Sequence, residues 1–267
     1  MLPRLQSTSI AVGGLLIASL ASAAIKFETI DYRVGTTAMR GYLVYDDAVT
    51  QKRPGVLVCH EWWGNNEFAQ DRAKKLAAEG YVAFAVDLYG AGQITTDPKQ
   101  AGEWAAQLFA DPQVVRDRAA AGLKILSDHQ ATDPTKLAAI GFCMGGTVAL
   151  ELARSGAELD AVVCFHTSAL AAEVPADNAK IKARVLVCHG AADPLVKPEV
   201  LQEFGKQMEE AEVDYQVLFL GGAKHSFTNK DSDKFGIPGV GYQEKAEQRS
   251  WTAMKQVFAD TLGPVKK

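Results

Sequence analysis

Residues 136–146 read KLAAIGFCMGG, and this stretch decides the fold. An apolar, strand-like run ends at Phe142, and Gly141-Phe142-Cys143-Met144-Gly145 fits a glycine–x–nucleophile–x–glycine turn. The helix-forming run GTVALELARSG (146–156) follows directly. A strand that bends so sharply into a helix holds its central residue in strained geometry, and side chains at the flanking positions would collide. Read alone, Cys143 is equally a small apolar residue buried between glycines.

The same strand-then-helix rhythm extends on both sides. GVLVC (55–59), YVAFAV (81–86), DAVVCF (160–165), ARVLVCHG (183–190) and DYQVLFL (214–220) are short continuous apolar runs, as in strands covered on both faces. Helices are expected between them: one after Asn66 with an Ala69, Ala73, Leu76, Ala77 stripe, a helical region up to about residue 127 interrupted near Asp111-Pro112, one over 198–212, and a closing helix over 244–261. Asn66 suits the N-cap of the first and Gly80 its C-terminal end. Before them, 25–34 and 39–47 alternate in part and suggest a β-hairpin. The expectation is an α/β fold: a mostly parallel sheet, helices on both faces and an N-terminal hairpin. Ligands then bind beyond the carboxyl ends of the strands.

Composition fits one domain. Of 267 residues, 48% are hydrophobic and the formal net charge is −4, without a basic run, so a nucleic-acid partner is not expected. Residues 1–23 carry one charge, Arg4, then an apolar stretch and Ala21-Ser22-Ala23. This is the pattern of a secretory signal peptide cleaved after Ala23, which leaves a single domain over 24–267, periplasmic or secreted and without a membrane segment. An uncleaved anchor is the alternative, although the stretch is short for a span. Export permits disulfides, yet Cys59, Cys164 and Cys188 each lie in a central-strand run, where free buried thiols are the rule. A monomer is expected.

The strand ends carry the chemistry. The helix beginning behind Cys143 favours a thiolate by about 0.3–1 kcal/mol, up to ~2 when partly buried, which alone does not ionise a thiol. A histidinium supplies the rest. In this fold an acid and then a histidine follow the nucleophile in chain order. Asp193 in HGAADPLV and His225 in GGAKHSF satisfy that order, each in a loop after a predicted strand. Asp193 would set the His225 tautomer, and His225 would take the thiol proton. His60, His166 and His189 also fall at strand ends, whereas His129 lies in a polar loop. No metal-ligand spacing is present, so neither metal nor other cofactor is expected.

With these residues placed, the chain resembles the dienelactone hydrolase family, a branch with the α/β-hydrolase fold, across most of 25–262, through CHEWWGNN, AVDLYG, IGFCMGG, HGAADPLV and GAKHSF. The resemblance implies a Cys143 nucleophile, an Asp193 orienting acid and a His225 base. It implies that Glu61 helps form the thiolate and that the Met144 and Trp62 backbone N–H groups form an oxyanion hole. It also implies hydrolysis of a small ester or lactone through a thioester. The arginines with which the family grips a substrate carboxylate are missing. Gly90-Ala91-Gly92 follows the DLY segment, and Thr228 and Asn229 follow the histidine. Trp63, Tyr89 and Phe227 are then candidates for an aromatic pocket around a less charged substrate. The rival reading is a non-catalytic, redox-sensing exported protein that uses the Cys143 thiol.

Overall fold

A computed structural model describes residues 25–265; the expected signal peptide lies outside the described residues. Eight strands form one sheet: β1 (Ile25–Val34), β2 (Thr37–Asp46), β3 (Arg53–Cys59), β4 (Val82–Val86), β5 (Thr132–Phe142), β6 (Ala161–Phe165), β7 (Arg184–Gly190) and β8 (Tyr215–Leu220). Their spatial order is β1-β2-β4-β3-β5-β6-β7-β8. β1 and β2 pair antiparallel, β2 runs antiparallel to β4, and every later pairing is parallel. The hairpin turn is tighter than the four residues expected: β2 already begins at Thr37, and Gly35 supplies the left-handed conformation at φ 56°.

Among the described residues there are six α-helices: α1 (Glu67–Ala78), α2 (Pro98–Phe109), α3 (Pro112–Asp128), α4 (Met144–Arg154), α5 (Pro198–Glu210) and α6 (Glu244–Thr261). α1 and α6 pack one face through Leu76, Trp251, Met254 and Phe258. α3, α4 and α5 pack the other through Val115, Leu126, Val148, Leu152 and Phe204. The interruption expected at Asp111-Pro112 is a new helix start: the Asp111 carboxylate accepts from Gln113 N–H at 2.9 Å, and proline occupies the first turn of α3. Asp97 caps α2 in the same way. Asn66 does stand at the N-cap of α1, but its side chain makes no capping bond. Two short 3₁₀ helices, Pro175–Lys180 and Ser232–Phe235, had no periodic signal in the sequence.

Cys59, Cys164 and Cys188 are free and buried in β3, β6 and β7. Burial pushes all three thiols up, Cys164 to about 12, so they stay protonated and unreactive. Cys143 is also free but half-buried, at the carboxyl edge of the sheet. Among the described residues, no helix is long and apolar enough to cross a membrane.

Candidate active site

Cys143 sits between β5 and α4 with φ 54° and ψ −118°, a conformation that side chains rarely adopt. Two glycines make the bend feasible. A Cβ on Gly141 would overlap the Gly145 carbonyl, and one on Gly145 would overlap the carbonyls of Cys59 and His60. The helix therefore starts directly against the end of β3. Met144 opens α4, so its N–H is among the donors a helix leaves without an internal partner.

His225 lies in the loop after β8, and its Nδ1 bonds Asp193 Oδ2 at 2.7 Å. Both residues are buried, His225 at 3% exposure and Asp193 at 6%. The Cys143 sulfur lies close enough to the imidazole to act on its charge. Burial alone pulls His225 down. The Cys143 sulfur, the bond to Asp193 and the carboxylate charge outweigh it and push the imidazole up to about 10. The ring thus carries its proton at neutral pH, beside sulfur. The loop that holds it is braced by its own backbone: His225 N–H donates to the Gly239 carbonyl, and Gly241 N–H donates to that of His225.

Glu61, just past β3, is buried behind this group. Its two oxygens accept from Ser226 Oγ at 2.9 Å and Asn229 Nδ2 at 2.7 Å. Burial raises its carboxyl, and those two bonds with the nearby His225 and Arg72 charges only partly offset the rise. Its oxygens are thus engaged with the histidine loop. Trp62 follows, half-buried, with its carbonyl and the Met144 sulfur both accepting from Tyr89 Oη at 3.1 Å. Tyr89 thereby ties together the two residues whose backbone N–H groups were expected to form the oxyanion hole.

The three other aromatics expected around a pocket, Trp63, Tyr89 and Phe227, are all buried. Phe227 has no exposed surface and packs edge-on against His166, centroids 5.1 Å apart. Trp63 is buried between Trp62 and Phe235, at 4.9 and 4.8 Å. Tyr89 is buried as well. Rings buried to this degree brace the site from behind. Trp62 and Trp104 are the half-buried aromatics, and Trp104 lies 5.6 Å from Tyr89. A cavity of about 220 Å³ opens farther along, between Thr147 of α4, Val115 of α3 and the loop Ala169–Val174.

Several partners could not be read from the sequence. His60 is locked by backbone: Nδ1 bonds the Glu61 carbonyl at 2.5 Å, and Nε2 accepts from Leu88 N–H at 3.2 Å. Its ring is therefore spent on the sheet edge. His189 is buried too, and burial lowers it. Among the described residues, no group of three His, Cys, Asp or Glu side chains could hold a metal ion. Arg72 of α1 donates to the Thr228 carbonyl at 2.7 Å and to Glu247 of α6, so one buried guanidinium joins two helices to the histidine loop. Its only sequence signal was its place beside Ala69, Ala73 and Leu76 on the apolar stripe, where an unpaired charge would be costly.

The sequence pattern that defines the dienelactone hydrolase family matches residues 39–262. A putative carboxymethylenebutenolidase of Aquifex aeolicus (strain VF5) is 30% identical over 242 residues, 88% of this chain and 99% of the relative. The solved structure of m3DLH is 44% identical with a TM-score of 0.86, covering 90% of this chain and 99% of that one. P91, a dienelactone hydrolase-like promiscuous phosphotriesterase from metagenomic libraries, is 41% identical with a TM-score of 0.87, covering 91% and 100%. The sheet order, the strained turn at Cys143 and these likenesses agree, and the chain belongs to the dienelactone hydrolase family of α/β hydrolases.

Proposed function

We propose that the protein hydrolyses a small, uncharged ester or lactone through a thioester on Cys143, with His225 and Asp193 completing the triad. The observation that carries this reading is His225, held by Asp193 at 2.7 Å on one side and facing the Cys143 sulfur on the other.

The reaction balances with these groups alone. The Cys143 thiolate attacks the carbonyl carbon, and the C–S bond forms as the carbonyl π pair moves onto oxygen. The Met144 and Trp62 N–H groups hold that oxygen; each such donor typically contributes about 10²–10³-fold. The pair returns, the C–O bond breaks, and the leaving alkoxide takes the Nε2 proton of His225. Water then attacks the thioester and gives a proton back to Nε2. Collapse expels the thiolate and releases the acid. Asp193 keeps the imidazole in one orientation through both proton transfers.

Two features support an uncharged substrate. Thr228 and Asn229, where the family places a substrate-binding arginine, are turned inward, and Asn229 is bonded to Glu61. Arg118 of α3 approaches the segment after β4, but it donates to the carbonyls of Leu88 and Tyr89 at 2.6 and 3.0 Å. Neither Gly90-Ala91-Gly92 nor Thr228-Asn229 itself supplies a guanidinium fork for a carboxylate. The cavity by Thr147, one helical turn beyond Cys143, has an apolar wall of Phe109, Val115, Ala169 and Ala172, with Arg116, Glu151 and Glu173 also lining it, and that wall suits an apolar chain of the substrate. Oxygen-stabilising donors of this kind also suit a phosphotriester, so one belongs in the substrate panel.

The test is turnover of aryl esters, lactones and a phosphotriester by wild type, Cys143→Ala and Cys143→Ser under reducing conditions. The expected result is ester or lactone turnover that falls by on the order of 10³-fold or more in Cys143→Ala. Equal turnover in that variant removes the nucleophile. Peroxide-dependent sulfenylation of Cys143 without turnover of any substrate supports a redox sensor instead. Export is proposed from residues 1–23, and N-terminal sequencing of the secreted protein should begin at Ala24.

A further inference from the structure

His166 is the buried histidine that the reaction above does not use. It follows β6 with φ 42°, and its ring has no exposed surface. Among the described residues, four that are not glycine take positive φ, and three of them surround the site: Cys143, His166, and Ser226 beside the base. Strain of this kind persists only where neighbours hold the backbone in place. The neighbours here are specific. The Cys143 N–H points between the Phe165 carbonyl at 3.0 Å and His166 Nδ1 at 3.1 Å. His166 Nε2 lies 2.8 Å from Thr228 Oγ1. The Thr228 carbonyl accepts from Arg72. The His166 and His225 rings meet edge to face, centroids 5.3 Å apart.

These bonds fix the proton. Nδ1 accepts the Cys143 amide, so a neutral ring carries its hydrogen on Nε2 and donates it to Thr228. The charged groups around the ring all disfavour a second cation: His225 faces it from the loop after β8, and Arg72 reaches the same loop from α1. Burial together with these charges holds His166 well below its ordinary value. We infer that His166 is a positioning residue of the reaction: one neutral imidazole clamps the amide of the nucleophile to the loop that carries the base, with Thr228 selecting its tautomer. Cys143 and His225 come from chain segments about 80 residues apart. Their relative placement sets the proton transfer, and a misplacement near 1 Å costs about 10²-fold in rate. The family motifs contain no signal for this clamp, since His166 lies outside all of them.

The inference rests on the triad reading, and the experiment separates the two. Thr228→Val keeps the shape of the side chain and removes only the acceptor; Thr228→Ser restores it. With p-nitrophenyl acetate, Thr228→Val should lose about tenfold or more in kcat with KM within about twofold, and Thr228→Ser should return to within about twofold of wild type. His166→Phe should lose about 30-fold or more in kcat, and His166→Asn, which can accept from the amide and donate to Thr228, should recover part of it. If His166→Phe does not fold, the Thr228 pair decides. ¹⁵N spectra of the imidazoles give a readout free of turnover: His166 should hold its proton on Nε2 across neutral pH in wild type and lose that preference in Thr228→Val. Wild-type kcat in Thr228→Val, or a His166 proton on Nδ1 in wild type, overturns the clamp. A correct tautomer in a protein that turns over no ester overturns the hydrolase reading and the reaction role of His166 with it.

Discussion

At the residue scale, the proposed reaction rests on a sulfur beside a charged imidazole, which is what would let a cysteine stand where serine is usual. A protonated His225 is held by Asp193 and by the sulfur it faces. Its imidazole rises from 6.5 to about 10, so it contributes stability that is fully present below pH 6.5 and is lost as pH climbs through about 10. Melting temperatures of wild type and His225→Gln should therefore differ most near pH 6.5 and converge near pH 10; a constant gap contradicts the shift. Cys143, Asp193 and His225 were legible because each lies just past a recognisable strand, in the chain order the fold demands. The partners of Glu61 were not, because Ser226 and Asn229 reach it only through the tertiary path of the loop after β8. Trp63, Tyr89 and Phe227 show a second limit: a sequence places an aromatic near a site but does not say which side of the ring other residues will cover.

At the scale of elements, the site is a junction where α4, the β3 turn and the histidine loop touch through backbone. Gly145→Ala would drive a Cβ into the carbonyls of Cys59 and His60, which cannot rotate away. Its cost should reach about 3 kcal/mol, the upper end for overpacking, read by denaturant unfolding. Arg72→Met leaves Glu247 and the Thr228 carbonyl without their buried donor, with side chains only 10% exposed on both sides of the ion pair. Breaking one side of such a pair costs about 3–5 kcal/mol, and the loss should exceed that of the double variant Arg72→Met with Glu247→Gln. On the opposite side of the sheet, Ala172→Trp fills the cavity beside α4. Among p-nitrophenyl esters it should reduce kcat/KM for butyrate and hexanoate by about tenfold while leaving acetate within about twofold. An unchanged chain-length profile removes the cavity from the substrate path. α2 and α3 illustrate what local chemistry can announce: two Asp-Pro pairs marked both helix starts. The Asn66 cap looked equivalent, yet its side chain makes no such bond, because capping depends on a rotamer that sequence does not fix.

Over the whole molecule, alternation of apolar runs with amphipathic helices made the parallel sheet readable, whereas the spatial order β1-β2-β4-β3-β5-β6-β7-β8 emerged only in the structure. What pattern could not supply was closure of the site. The connection from Thr228 to Tyr242 has no periodicity, yet it folds back so that Gly239 and Gly241 bracket the His225 backbone and the Phe235 ring packs tilted against Trp63. The fold thus brings Cys143 from its centre, Asp193 after β7 and His225 after β8 to one edge, and the proposed function rests on that convergence.

The most direct measurement is rapid-quench mass spectrometry of the full-length protein mixed with a p-nitrophenyl ester. The account predicts a transient increase in mass equal to the acyl group, mapped to the peptide containing Cys143, formed faster than it decays when water attack is slowed in His225→Gln, and missing from Cys143→Ala. Turnover of the ester with no adduct at any quench time, or an adduct on another residue, would contradict it.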